Sequence, residues 1–396
     1  MHPLDLLAST SSSTPAIWDV LMVVVGIFLV CCVLVSALET VVLPRNSFTR
    51  IARVTFAIVN RLLVHRGRNK DRWTHIRGLY APVALVSLPL VWMILVIVGF
   101  TFIYWGVGTG TWTWCFEISG SSVTTLGFAK PDGASHAWIS FVEAIIGLGL
   151  VALLISYLPT IYAAYHEREK GMRTLRPFSG VPATGVNLLN NLNNFAAMDN
   201  TEVWKNASGW LLELDQTHTA FSALCYFPEA APTQSWVASV AALLDAGALL
   251  LSANPIDLTE GTPLPHEGAM LVLAHGVPAL NAIGRAAGLP LDPTVPLLEL
   301  VPDGSGGSPE ISVTKDEYMA ALDKLDGVLH VPADGREAAW LRFAAVRHSY
   351  DRATRGLAGL TLAAPAPWTT DRPAKVSRPR LASTKPIAVD WSLTDR

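Results

Sequence analysis

Charged residues are scarce in this chain, and their scarcity excludes several classes of protein. Asp, Glu, Lys and Arg make up only 15% of the 396 residues, against about 25% in a typical soluble domain. Hydrophobic residues reach 51%, and the mean hydropathy is +0.37. The net charge of -3 offers no basic surface for a polyanion. The composition disfavours an ordinary soluble enzyme, a disordered chain and a nucleic-acid-binding protein.

The chain also lacks the short motifs of enzymes and metal sites. Its four cysteines have neither the spacing of a disulfide framework nor that of metal ligands. It contains no phosphate-binding loop, dinucleotide-binding fingerprint or nucleophile-and-base pattern. Glu213, Asp215 and His218 lie close together, but without further ligands a solvated helix face explains them better than a metal site. We expect no enzyme activity, no cofactor and no resident metal.

Three long apolar runs are present instead. Val20–Leu38, Gly78–Phe116 and Ala144–Tyr165 hold 19, 39 and 22 residues, respectively, without a charge. A helix needs about 20 apolar residues to cross a hydrocarbon core of about 30 Å. The first and third runs each suit one crossing. The middle run is too long for one crossing and too short for two, and its glycine-rich end predicts a helix that stops near Val107.

Basic residues are concentrated on one side of the predicted membrane. The loop from Pro44 to Gly78 holds nine Lys and Arg residues and one acid, whereas residues 1–17 hold no Lys or Arg. Positive charge marks the cytoplasmic side, so we expect the N-terminus outside and residues 166–396 inside. The missing basic n-region favours a retained first helix over a cleaved signal peptide.

Within that loop, apolar and basic residues alternate at helical spacing over Phe48–Leu63. The pattern is typical of an amphipathic helix on an anionic leaflet, so we expect residues 45–77 to contact membrane lipids. Arg50 and Arg53 also raise the alternative of a voltage sensor. A sensor needs several regularly spaced arginines within a crossing segment, and this stretch does not supply them.

From Gly180 the composition becomes that of a soluble domain. Apolar residues recur every three or four positions in five stretches, which predicts a bundle of about five helices with little strand. These stretches are Val203–Tyr226, Ser235–Leu251, His266–Ala287, Lys315–Leu329 and Arg336–Arg355. The chain is expected to have five parts. Residues 1–43 form an outer N-terminus with the first span, 44–78 a basic loop and 79–167 a pore module. Residues 180–360 form a cytoplasmic helical domain, and 361–396 a disordered tail.

The segment best suited to handle an ion is Trp112–Asp132. Its first dozen residues predict a short helix, and the remainder is too short to cross a membrane, which suggests a re-entrant loop. An ion leaving water needs replacement oxygen ligands, which backbone carbonyls from several chains around one axis can provide. Gly127 permits a positive φ, so that consecutive carbonyls face the same way. The short helix directs its partially negative C-terminus towards such an ion.

This arrangement resembles the pore module of the bacterial potassium-channel-like family, which has an outer helix, a pore helix, a filter and an inner helix. The family is built around a Thr-Val-Gly-Tyr-Gly filter, and the resemblance covers Gly78–Glu167. It implies an all-α membrane protein with three transmembrane helices, a re-entrant pore helix and filter loop, and a cytoplasmic helical domain. The filter residues it implies are Thr124, Thr125, Leu126, Gly127, Phe128 and Ala129.

The chain departs from the family at three positions. Ala129 replaces the second glycine, and a left-handed conformation at an alanine costs about 1–2 kcal/mol. Phe128 lacks the hydroxyl with which tyrosine braces the filter. Lys130 stands at the outer mouth in place of the usual aspartate, and Asp132 only partly offsets its charge. These departures leave both potassium selectivity and conduction open, and an ordinary re-entrant or buried loop without a pore is the alternative.

Residues of the third run carry further hypotheses. Gly147 and Gly149 lie where the family has its gating hinge, although close helix packing explains such a pair equally well. Pro159 is expected either to kink the inner helix or to mark its end. Glu143 is expected either behind the filter, bonded to Ser121, Ser122 or Thr124, or at the membrane rim.

The function expected from the sequence is a homotetrameric cation channel in the cell membrane that conducts K⁺ or Na⁺ passively. Each chain contributes one re-entrant loop, so four chains are needed to surround an axis. Two alternatives stay open: a channel-derived scaffold or sensor that no longer conducts, and a small transporter with a re-entrant loop.

Overall fold

The structure is a computed structural model, and the chain divides into two compact units. The first unit comprises residues 1–43, 47–62 and 83–159, and the second comprises 44–46, 63–82 and 160–396. The residues that the structure describes are 17–41, 51, 54, 55, 58, 59, 70–195, 200–227, 229, 231, 233–253, 266–292, 309–376 and 389–392.

Nearly all regular structure in these ranges is helical. The α-helices are α1 Ile17–Val41, α2 Lys70–Gly106, α3 Trp112–Val123, α4 Ala134–Ser179, α5 Gly185–Asn194, α6 Asn200–Ala220, α7 Trp236–Ala253, α8 His266–Ala286, α9 Lys315–Lys324 and α10 Arg336–Thr361. Short 3₁₀ turns lie at Ser222–Tyr226 and Ala333–Gly335. The strands β1 Lys375–Val376 and β2 Val389–Asp390 pair antiparallel, with Lys375 opposite Asp390.

Glycines allow α1 and α2 to pack closely in the first unit. A methyl group on Gly26 of α1 would approach the carbonyl oxygen of Gly99 on α2 to 2.5 Å. A methyl group on Gly106 would meet the carbonyl oxygen of Asp19 at 2.6 Å. Small residues at such crossings bring two apolar helices into close contact where no hydrophobic force drives them together.

Five helices in the described chain contain stretches that are long and apolar enough to cross a membrane, which is consistent with a multi-pass membrane protein. They are Ile17–Glu39, Val86–Gly106, His136–Ser179, Trp236–Ala253 and His266–Ala286. In the first three helices, 22–39% of the most apolar 18-residue stretch is buried inside the fold. In α7 and α8 the corresponding shares are 94% and 56%. Neighbouring helices cover the apolar surface of α7, so its composition alone does not require a membrane.

Two of the helix ends predicted around the candidate loop agree with the structure, and a third does not. The sequence predicts a break of the middle apolar run near Val107, and α2 ends at Gly106. The short helix predicted over the first dozen residues of Trp112–Asp132 is α3, with 12 residues. The helix that contains the third apolar run, α4, is longer than the run itself and continues through Pro159 to Ser179. Pro159 therefore does not mark a helix end, and that interpretation was wrong.

All five helices predicted in the second unit are present, and α5 is an additional one. Its sequence contains five asparagines, which have low helix propensity, so its helical pattern was missed. Thr184 caps its N-terminus by accepting a hydrogen bond from Asn187 N at 3.2 Å. Leu188, Leu189 and Leu192 then bury its apolar face. Tertiary packing outweighs weak propensity at this helix.

The expected disordered tail at 361–396 is partly wrong, because 361–376 and 389–392 are ordered parts of the second unit. Ala366 and Thr369 are buried. Arg347 donates a hydrogen bond to the carbonyl of Trp368 at 2.6 Å, and Arg355 donates to that of Arg372 at 3.2 Å. Buried arginines on α10 thus bind backbone carbonyls of the tail, an interaction between distant residues that composition does not reveal.

The predicted interfacial helix at Phe48–Leu63 lies mostly outside the described residues. Residues 51, 54, 55, 58 and 59 are helical. Thr55 and Val59 are buried, whereas Val54 and Ile58 are exposed. The side chains of the basic residues at 45–77, which carry the predicted lipid contact, are not among those described.

Candidate pore loop and its buried support

Helix α3 positions the candidate loop. Thr111 caps its N-terminus by accepting a hydrogen bond from Trp114 N at 3.4 Å. Trp112, in its first turn, packs edge-on against Phe102 and Trp105 of α2, with ring centroids 5.0 and 5.5 Å away. The buried face of the helix includes Cys115, Ile118 and Ser119. Aromatic contacts and an apolar face therefore fix the helix that leads into the loop.

The loop Thr124–Ala129 leaves the end of α3 through a tight turn. Leu126 N donates to the carbonyl of Ser121 at 3.0 Å, and Thr125 N donates to that of Ser122 at 3.1 Å. Thr125 has a φ of 57° and Gly127 a φ of 72°. The left-handed residues are thus two positions apart. Such an alternation lets consecutive carbonyl groups point to the same side of the loop, as a row of ion-binding carbonyls requires.

The loop lies on the surface of the single chain. Thr124 to Phe128 are all exposed, with Leu126 and Phe128 at 69% and 68%. A methyl group on Gly127 would meet no atom within 4 Å. Large apolar side chains and open space next to them leave room for neighbouring copies to approach this loop.

Ser121 ties the far end of the loop to α3. Its buried hydroxyl accepts a hydrogen bond from Ala129 N at 3.0 Å, and Ala129 is itself buried. Ala129 is not among the described residues with positive φ, so it avoids the cost of a left-handed alanine and does not adopt the backbone expected of the family's second glycine. The positive φ predicted at Gly127 is confirmed, and Thr125 is left-handed as well. The bond to Ser121 holds Ala129 against the helix.

Glu143 of α4 is fully buried in a polar cluster inside the apolar first unit. Its carboxylate accepts hydrogen bonds from Ser119 on α3 and from Tyr104 on α2, the latter at 3.0 Å. The Tyr104 hydroxyl also lies 2.9 Å from the hydroxyl of Ser140. The Ser119 oxygen is 3.0 Å from the carbonyl of Ile97. This polar cluster therefore joins α2, α3 and α4.

The partners of Glu143 differ from those expected. Ser121, Ser122 and Thr124 are the partners expected from the sequence, whereas Ser119 and Tyr104 donate to the carboxylate in the structure. The Glu143 carboxylate has no exposed surface, and its depth, behind the filter or at the membrane rim, stays a prediction. Glu143 thus supports the helix, and Ser121, two residues after Ser119, supports the loop. Sequence reasoning missed the hydroxyls of this cluster, although a hydroxyl in an apolar run is itself a signal.

The two glycines of α4 differ in their surroundings. A methyl group on Gly147 would clash with the carbonyl oxygen of Val123, the last residue of α3. Gly147 therefore permits close packing of α4 against α3. A methyl group on Gly149 would meet nothing within 4 Å. A hinge at Gly147, Gly149 and Pro159 stays a prediction.

The expected outer-mouth residues are both on the surface. Lys130 and Asp132 are exposed, and the Asp132 carbonyl oxygen is 3.2 Å from Nδ1 of His136. The exposed apolar residues of α4 recur every three or four positions and form a stripe along the helix. They include Trp138, Phe141, Val142, Ile145, Leu148 and Ile155.

The weaker metal hypothesis at Glu213, Asp215 and His218 finds no support. In the described ranges, no group of three His, Cys, Asp or Glu side chains could hold a metal ion. The solvated-face interpretation is wrong for His218, whose side chain is fully buried beside Trp236, with ring centroids 5.1 Å apart. Burial, assisted by the Arg168 cation, lowers the pKa of His218 to about 3, so it is a neutral core residue.

The candidate site is thus an exposed loop after a short helix, supported by Ser121 and by the Glu143 cluster. Comparison of the chain with protein-family models, with curated proteins and with solved structures found no match.

Proposed function

We propose that the chain forms a homotetrameric cation channel in which Thr124–Ala129 of four copies surround one axis. Carbonyl oxygens of the loop replace part of the water around a K⁺ or Na⁺ ion, which passes down its electrochemical gradient. The three candidate membrane helices with the most exposed surface, α1, α2 and α4, are its transmembrane helices. The second unit lies on the cytoplasmic side.

The observation that carries the proposal is the exposed, glycine-containing loop at the C-terminal end of a short helix, between two apolar helices. A buried acid and three hydroxyls support that helix from behind. A loop with left-handed residues and exposed Leu126 and Phe128 is costly in a lone chain. Packing against other copies would cover the exposed side chains of this loop. A non-helical polar backbone at membrane depth is tolerated where the backbone lines a water-filled path.

A specific observation also favours a second candidate, a non-conducting scaffold derived from a channel. Lys130 is exposed directly after the loop, so a tetramer would place four ammonium groups near its mouth. Like charges at a narrow entrance oppose cation entry. Ala129, held by Ser121, leaves little freedom for a further ring of carbonyls.

The decisive experiment records currents from purified protein in planar bilayers under K⁺ and Na⁺ gradients, with the oligomeric state measured by native mass spectrometry. We expect a tetramer with a cation current that Gly127→Val abolishes. A tetramer without current under any cation gradient would favour the scaffold. A monomer or dimer would exclude a four-fold filter and favour a small transporter.

A further inference from the structure

A second candidate site is a cavity of about 350 Å³ within the second unit. It lies between the start of α5, one face of α9 and the turn that contains Trp368. Its walls include Asn187, Asp245, Glu317, Ala320, Lys324 and Trp368. The volume is within the range of small-molecule sites, about 300–1,000 Å³.

Asp245 on α7 is the unusual residue in this wall. It is 1% exposed, and its Oδ1 accepts hydrogen bonds from Arg347 and, at 2.7 Å, from Tyr350. Its Oδ2 is buried and has no hydrogen-bond partner within the described part of the chain. A buried carboxylate oxygen without a donor is costly and indicates a missing partner.

The rest of the wall restricts what that partner is. Arg372 binds the half-buried Glu317 through both carboxylate oxygens, so Glu317 is already neutralised and Asp245 Oδ2 is the carboxylate oxygen of the described wall that lacks a donor. Lys324 on the exposed side of α9 disfavours a second positive charge on the ligand. Trp368 and Ala320 provide apolar surface. An indole face also attracts a cation.

We infer that this cavity binds a small organic monocation, a primary ammonium on an apolar body, whose N–H group donates to Asp245. A charge-assisted hydrogen bond from an ammonium is about twice as strong as one from a neutral donor, so the positive charge distinguishes the ligand from an alcohol of the same shape. The cavity belongs to the second unit alone, so the inference does not depend on the proposed pore.

The probe is cyclohexylammonium, and cyclohexanol is its uncharged counterpart. Both are titrated calorimetrically into the full chain in lipid nanodiscs at constant ionic strength. We expect saturable one-to-one binding of the ammonium only. Asp245→Asn, which keeps the shape but places an amide donor in the wall, should weaken binding about ten- to a hundredfold.

Two further variants keep the inference testable if Asp245→Asn fails to fold. Ala320→Phe fills the cavity from an exposed position on α9 and should also abolish binding. Asp316→Asn removes an exposed carboxylate of α9 outside the cavity wall and should leave binding unchanged. The inference is overturned if wild type shows no saturable binding, which would mean that water alone fills the cavity. Equal binding of cyclohexanol, or binding that survives both Asp245→Asn and Ala320→Phe, would overturn it as well.

Discussion

The carboxylate of Glu143 on α4 accepts a hydrogen bond from the hydroxyl of Ser119 on α3, and neither side chain is exposed. The two residues lie 24 positions apart in the sequence. Their contact holds the short helix that leads into the candidate pore loop. Because the surroundings are apolar and supply no water in exchange, loss of the bond would leave the buried carboxylate with one donor fewer.

We expect Glu143→Leu to be among the most damaging single changes in the first unit. It removes the acceptor of two buried hydroxyls, which would keep only the Ile97 carbonyl and the Ser140 hydroxyl as partners, and each lost hydrogen bond to a carboxylate costs about 1.5–3 kcal/mol. Glu143→Gln keeps one acceptor oxygen and should cost less. The measurement is the thermal midpoint of the detergent-solubilised protein. Glu117→Gln, at an exposed position of α3, is the matched control. A midpoint for Glu143→Leu equal to that of the control would contradict the buried cluster.

Ser121→Ala tests the attachment of the loop. The change frees Ala129 N from its 3.0 Å bond, so the loop end should become more mobile. We expect a loss of about 0.5–1.5 kcal/mol in stability and a change in the K⁺/Na⁺ permeability ratio. Reversal potentials in mixed salts provide the measurement. Ser156→Ala, which removes an exposed hydroxyl that donates to Leu153 O of the same helix, should leave the ratio unchanged. If both variants behave like wild type, Ser121 does not support a filter.

Ala129→Gly tests the alignment of the filter. Glycine would allow this position the left-handed backbone that an additional ring of carbonyls requires. We expect a higher permeability for K⁺ relative to Na⁺ in bilayer recordings. An unchanged ratio in a variant that conducts normally would argue against the alignment of Thr124–Ala129 with the family's filter.

His218 makes stability dependent on pH. Burial lowers the pKa of His218 to about 3 in the folded chain, whereas the unfolded value is about 6.5. The unfolded state therefore binds more protons between these values, and stability falls as the pH decreases through this window. Lowering the pH from 6.5 to 4 should cost about 3 kcal/mol from this group.

The measurement for His218 is denaturant unfolding at a series of pH values. His218→Asn should flatten the pH dependence between pH 6.5 and 4, whatever its effect on stability at pH 7. His330→Asn, at an exposed position, should leave the dependence unchanged. Parallel curves for wild type and His218→Asn would contradict a neutral, buried imidazole.

Arg347 on α10 should be essential for the second unit. It binds Asp245 and, at 3.0 Å, Asp351, and all three side chains are almost fully buried. Arg347→Met leaves two buried carboxylates without this cation, and breaking a buried pair costs about 3–5 kcal/mol. Arg352→Met removes a solvent-exposed pair with Asp292 on the same helix as Arg347 and should cost less than about 1 kcal/mol. Similar urea midpoints for the two variants would show that the buried network contributes little.

Several elements could be predicted from the sequence because their signal is local. The end of α2 at Gly106 and the 12-residue helix α3 follow from the length of an apolar run and a glycine-rich break. Five helices of the second unit follow from apolar residues at helical spacing. By contrast, α5 was missed because its asparagines hide the pattern, and the ordered part of the tail was missed because the arginines that hold it lie elsewhere in the chain.

Length and periodicity of apolar residues thus determined the helices and the place of the candidate loop between them. Which buried groups meet was decided only by the tertiary structure. The pairing of Glu143 with Ser119 and Tyr104 joins residues of three helices, and the non-glycine residue of the loop with a left-handed backbone is Thr125 rather than Ala129. The physical reason is that apolar burial depends on local composition, whereas a buried polar atom is stabilised only by a partner whose position the whole fold sets.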